Sequence, residues 1–163
     1  VLKASPNGKY LAMSNFSNAL ISNFDAEIGK ITSTSFFSTK HGEGMDAIFS
    51  KANVYGLAFS QDSKYVYAET IEKGKNIIFQ LQTDKPDSRE YILTSSNYQS
   101  YFQLAKDGNI YMTTSKDDTN PGDSLSVIIP PKNKTETIGT YTKNVVDLKG
   151  KKSRLGLPNF IQS

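Results

Sequence analysis

Ser5-Pro6-Asn7-Gly8-Lys9-Tyr10-Leu11-Ala12 decides the fold, because it is the first of three copies. Pro, Asn and Gly predict a tight turn, and Lys-Tyr-Leu-Ala starts an alternating run that predicts a strand. The second copy is Ser60-Gln61-Asp62-Ser63-Lys64-Tyr65-Val66-Tyr67, 55 residues on. The third is Ala105-Lys106-Asp107-Gly108-Asn109-Ile110-Tyr111-Met112, 45 residues further. Each follows a short apolar lead-in: Val1-Leu2, Tyr55-Gly56-Leu57-Ala58-Phe59 and Tyr101-Phe102-Gln103-Leu104.

The likeness continues downstream. Ala19–Phe24, Asn76–Leu81 and Ser124–Ile129 predict a third strand in each copy. Polar turns follow at Asp25–Lys30, Gln82–Arg89 and Pro130–Thr135. Fourth strands are then expected at Ile31–Phe37, Glu90–Thr94 and Glu136–Tyr141. Only Met45–Lys51 has room for a helical turn or two. Four antiparallel strands in roughly 45–55 residues, repeated, is the pattern of a β-propeller blade. The expected fold is therefore all-β: a partial β-propeller of about three four-stranded blades, with a β-sandwich as the alternative. The units are 1–53, 54–100 and 101–142, with a closing tail over 143–163. Three blades are fewer than a ring needs, so the chain reads as a fragment of a longer protein, completed by further blades of that protein or by an assembly partner.

Composition narrows the function. The 163 residues are 37% hydrophobic, enough for a buried core, and no apolar run reaches the length of a membrane-spanning helix. A net charge of +3 gives no basis for nucleic-acid binding, and the cluster Lys149–Arg154 reads as solvated. Without Cys there is no disulfide, thiol nucleophile or Cys-based metal site.

Strand alternation puts the loops from second to third strand, and from fourth strand to the next blade, at one end. They are Ser14–Asn18, Thr39–Asn53, Thr70–Lys75, Ser95–Ser100 and Ser115–Asp123. Long loops on a rigid scaffold carry binding residues. The candidates there are His41, Glu43, Asp46, Tyr98, Asp117, Asp118 and Asp123. The oxygen donors of Lys116–Asp123 are of the type calcium uses, although the spacing is not that of an EF-hand loop. No cofactor is otherwise expected. His41 is the sole histidine and no G-x-S-x-G nucleophile motif occurs, so no catalytic residue is assigned. The innermost strands carry Lys3 and Gln103 among mainly apolar and aromatic groups. Asn15-Phe16-Ser17 and Asn133-Lys134-Thr135 are N-glycosylation sequons, and Asp123-Ser124-Leu125 is similar to a short O-glycosylation motif.

The end of the chain adds a family resemblance. Ser153-Arg154-Leu155-Gly156-Leu157-Pro158-Asn159-Phe160 resembles the S-x-x-G-L-P-N-F segment that closes certain propellers of Bacteroidetes surface proteins. In those proteins it follows F-S-P-D/N-G-K-x-L-Y and L-x-P-D-G-K-I-Y blade motifs, matched here by Ala4–Leu11, Phe59–Tyr67 and Leu104–Tyr111. The chain departs from the pattern at Gln61 and Ser63, where Pro and Gly are usual. The resemblance implies a YVTN/WD40-like propeller, secreted or on the cell surface, linked to gliding motility and exported by type IX secretion. Gly156, Leu157, Pro158, Asn159 and Phe160 then form a structural closing motif. The implied function is non-catalytic, presenting loops to a protein or a surface glycan. The absence of Trp favours a protein. The alternative is part of a propeller enzyme whose active site lies in other blades.

Overall fold

The computed structural model describes residues 1–14, 19–37, 56–72, 75–93, 100–115, 119–133, 135–153 and 157. Among the described residues, twelve strands form three sheets, each a four-stranded antiparallel meander. The first blade is β1 (Leu2–Ala4), β2 (Tyr10–Ser14), β3 (Ala19–Asp25) and β4 (Lys30–Phe37). The second is β5 (Leu57–Phe59), β6 (Tyr65–Glu72), β7 (Lys75–Gln82) and β8 (Lys85–Leu93). The third is β9 (Phe102–Leu104), β10 (Ile110–Thr113), β11 (Ser124–Ile129) and β12 (Thr140–Asp147). Three sheets packed in series are propeller-like blades, not the two layers of a sandwich.

The middle blade shows why the blades stack. Its strands alternate two sets of side chains across the pleat. Leu57, Phe59, Val66, Ala68, Phe79 and Leu81 pack with Ala12, Ala19 and Ile21 of the first blade. The intervening Ala58, Tyr67 and Ile78, with Ile92, pack with Phe102, Leu104, Ile110, Met112 and Ile128 of the third. Both faces of the middle sheet are therefore core, and its runs look continuously apolar in sequence.

The repeated octapeptide builds one turn three times. Ser5 Oγ accepts from Tyr10 N and donates to Asn7 Oδ1, which also accepts from Lys9 N (2.9, 2.7 and 3.0 Å). Ser60, Asp62, Lys64 and Tyr65 repeat these bonds at 3.0, 2.7 and 3.1 Å. In the third copy Ala105 has no hydroxyl, but Asp107 Oδ1 still accepts from Asn109 N at 3.0 Å. The fourth turn position has positive φ in all three: 71° at Gly8, 60° at Ser63 and 80° at Gly108. Ser63 departs from Gly for a visible reason. Its buried Oγ accepts Asn7 N at 3.1 Å, joining the first two blades. Ser63→Ala keeps the left-handed strain and loses that bond; Ser63→Gly loses the bond but relieves strain of about 1–2 kcal/mol. In denaturant titrations Ser63→Ala is thus expected to be the less stable variant by about 1 kcal/mol. Equal stabilities would remove strain from the account.

Three boundaries differ from expectation. The turn expected over Gln82–Arg89 contracts to Thr83-Asp84, because β8 starts at Lys85 despite Pro86. An outermost strand tolerates Pro because one backbone edge needs no partner, and a bulge between Leu81 and Gln82 absorbs the register change. Thr70–Lys75, expected as a loop, is mostly ladder: Thr70 pairs with Ile77, Ile71 with Asn76 and Glu72 with Lys75. The last outer strand is Thr140–Asp147, not Glu136–Tyr141, so 143–147 belong to the third blade and not to a tail. Glu136 instead closes a turn. Its carboxylate accepts Lys132 N (2.8 Å) and Asn133 Nδ2 (2.9 Å), while Asn133 Oδ1 accepts Thr135 N and Glu136 N. The possible helical turn at Met45–Lys51 lies outside the described residues.

Candidate functional site

The inner strands β1, β5 and β9 bring three blades to one cleft of about 530 Å³. Leu2, Ala58, Phe59 and Leu104 supply apolar wall, and Lys3, Tyr101 and Gln103 supply polar groups. Lys3 Nζ donates to Tyr101 OH at 3.1 Å and sits 4.8 Å from the ring centroid. The ammonium is held by a hydrogen bond and by the ring's quadrupole, bracing the first blade to the third. Gln103 is buried and donates Nε2 to Leu104 O at 3.1 Å. Its Oε1 has no partner among the described residues. Lys3 and Gln103 were legible as inner-strand groups from their place in each unit, but their approach to Tyr101 needed the blade packing.

The seam between the second and third blades holds a second polar constellation, which sequence reading missed. Glu69 on β6 is 1% exposed. Its Oε1 accepts Asn76 Nδ2 at 2.9 Å, and its Oε2 accepts Ser100 N, at the entry to the third blade, at 2.5 Å. Burial pushes its carboxyl up to about 8, against the opposing pull of the Ser100 bonds. Tyr141 on β12 is also held above the usual phenol range, first by burial, with the Glu69 charge adding to it and the Ser126 bond opposing it. Along the same seam Tyr67 OH donates to Gln80 Oε1 at 2.7 Å. Gln80 Nε2 donates to Thr137 O (2.8 Å) and Gly139 N donates to Gln80 Oε1 (2.9 Å). The missed signal was parity: Tyr65, Tyr67 and Glu69 alternate onto one strand face, toward the third blade.

On the turn-bearing end, Asp107 Oδ2 accepts Asn109 Nδ2 at 2.8 Å and Tyr111 OH at 2.9 Å. Burial pulls the Asp107 carboxyl upward, but these bonds and that from Asn109 N outweigh it and hold it below the usual range. The Tyr111 phenol is raised in turn, chiefly by the same bond.

Most loop-face candidates, His41, Glu43, Asp46, Tyr98, Asp117 and Asp118, lie outside the described residues. Asp123 is described and exposed. Its Oδ2 is 3.9 Å from Lys152 Nζ, and its backbone oxygen accepts Leu148 N at 2.9 Å. Among the described residues, no group of three or more His, Cys, Asp or Glu is placed to hold a metal ion. Gly122 has a structural task there: it pairs with Ser153, and a Cβ on it would lie 2.6 Å from Thr114 O. Ser124, in the short O-glycosylation-like motif, is buried in β11, and its Oγ donates to Asn144 Oδ1 at 3.0 Å. That hydroxyl is closed to a transferase. Of the closing motif only Leu157 is described, and it is half-buried; Gly156, Pro158, Asn159 and Phe160 lie outside the described residues.

The fold is that of known propeller-like proteins. A crystal structure from Bacteroides uniformis, of a protein named a "putative 6-phosphogluconolactonase", aligns with TM-score 0.54 and 19% identity over 90% of this chain. Hydrazine synthase of Kuenenia stuttgartiensis aligns with TM-score 0.51 and 16% identity, also over 90%. The chain spans only 40% and 36% of those two proteins. At such identities the likeness is one of fold. No protein-family model and no curated protein matches the sequence.

Proposed function

We propose that the chain forms blades of a non-catalytic recognition module in a secreted or cell-surface protein. The observation that carries this reading is Lys3. It is the one charged side chain on the described inner strands, it is held by the Tyr101 hydroxyl and ring, and no carboxylate or imidazole lines the cleft beside it among the described residues. Such a centre braces blades and leaves recognition to the ends of the sheets. The remaining blades, from the same protein or an assembly partner, would cover the open face of the first blade, where Leu2 is 63% and Met13 40% exposed. A role in gliding motility or type IX export rests on the terminal motif and the blade motifs together.

The second reading is an enzyme, and the lactonase-named neighbour favours it. Acid release from 6-phosphogluconolactone separates the two. The recognition reading expects the spontaneous rate with or without the protein. Acceleration lost in Lys3→Met would establish the enzyme. Fractionation of the source cells tests the location, and recovery in the cytoplasm alone would remove the surface assignment.

A further inference from the structure

We propose that the groove between the turn ends of the first two blades is a binding site for a neutral saccharide. The reading rests on the module being a recognition scaffold, but it places the site at the end opposite the long loops.

The groove exists for a physical reason. Deeper in this seam, Ala12, Leu57, Val66 and their neighbours close on one another. At the turn end the Asn7–Ser63 bond ties one turn to the next. The contracted Thr83-Asp84 hairpin stands beside them, anchored by Thr83 Oγ1 donating to Ser63 O at 2.9 Å. The space left is about 350 Å³, within the range of about 300–1,000 Å³ of small-molecule sites. Three locked turns frame it, so little ordering entropy is lost on binding.

Its lining has the chemistry of a polyol site. Tyr10 offers a half-buried ring packed against the seam, and its hydroxyl meets no partner among the described residues. Asn7, Lys64, Gln82 and Asp84 bring amide, ammonium and carboxylate groups, so donors and acceptors both line the groove beside Tyr10 and Tyr65. Asp62 spends its charge on Lys64, 3.2 Å away. Burial pulls the Asp62 carboxyl upward, but the bonds from Ser60, from Lys64 N and from the Lys64 side chain hold it below the usual range. With that pair neutralised, Asp84 leaves a single negative charge, which disfavours acidic ligands. The C–H face of a sugar ring suits Tyr10, and its hydroxyls suit the mixed rim. The volume is too small for a long stretch of extended peptide.

The test uses cellotriose, laminaritriose, maltotriose and chitotriose as probes, followed through backbone amide shifts of the labelled protein. At least one should bind with a dissociation constant of millimolar order or tighter. Shifts should centre on Asn7, Lys64, Gln82 and Asp84. The double change Gln82→Ala with Asp84→Ala removes two groups that make no side-chain hydrogen bond in the described structure, so the melting temperature should hold while affinity falls about tenfold or more. Tyr10→Phe keeps the ring and should lose less. No binding by any probe overturns the proposal. Binding with shifts elsewhere, indifferent to the double change, also overturns it but leaves the recognition module standing. Lactone turnover would instead remove the module reading itself.

Discussion

Glu69→Gln is expected to make the protein more stable at pH 9 by a few kcal/mol and to leave it nearly unchanged at pH 5. The sign follows from burial. The unfolded carboxyl titrates near 4.5 and the folded one near 8. The folded state therefore holds the proton more tightly. The stability linked to it is complete below about pH 4.5, declines as pH rises, and is lost by about pH 8. Spread over that window the loss is a few kcal/mol, at about 1.4 kcal/mol per pKa step. Above it, a carboxylate sits in the seam with Asn76 Nδ2 and Ser100 N as its donors. Gln cannot ionise. Its Oε1 can accept Ser100 N, and its amide can meet Asn76 once that amide turns over. Tyr141 relaxes with it, since the Glu69 charge is among the causes holding its phenol high. Urea unfolding from pH 5 to pH 9 reads this out as the difference between wild type and variant. Parallel stability curves would sink the idea.

The contrast between Glu69 and the repeated turn shows what could be read from the sequence. Ser5-Pro6-Asn7-Gly8 carries its fold locally. Hydroxyl and Asx oxygens cap amides two to five residues away, and three copies announce a blade. The β-strand alternation was equally local, so the third strands fell where expected, Ser124–Ile129 to the residue. The outer strands were harder. Lys85–Leu93 contains Pro86 and charged residues, which mean turn in isolation and are tolerated only because the strand is outermost. Gly139 was unreadable for a different reason: a Cβ there would lie 2.9 Å from Ile129 O and 3.0 Å from Tyr67 OH. The Gln80 network, and the Tyr67 contact at the glycine, depend on another blade's approach. Sites made between blades are long-range facts, and parity shows only which side chains share a face.

Phe102→Ala should cost about 3–5 kcal/mol, the usual loss when a buried aromatic ring is truncated. Phe102 is fully buried on β9, where the third blade meets the second, and its ring fills the space left by Gly56. A Cβ on Gly56 would stand 2.7 and 2.8 Å from two ring carbons and 2.8 Å from Ser100 O. Gly56→Ala alone should therefore destabilise by overpacking, by about 1–3 kcal/mol. The two changes are coupled. In a Phe102→Ala background the two ring contacts are gone, so the added methyl enters a cavity and costs less. Ser100 O stays, however, and it cannot retreat freely: the same residue's N–H is fixed to Glu69. A double-mutant cycle should show a favourable interaction energy of about 1 kcal/mol or more, with a residual penalty set by the backbone oxygen. Strict additivity would mean that the ring does not set the distance between these blades. Complete rescue would mean that the Ser100 segment yields, and the Glu69 anchor would then be weaker than its burial implies.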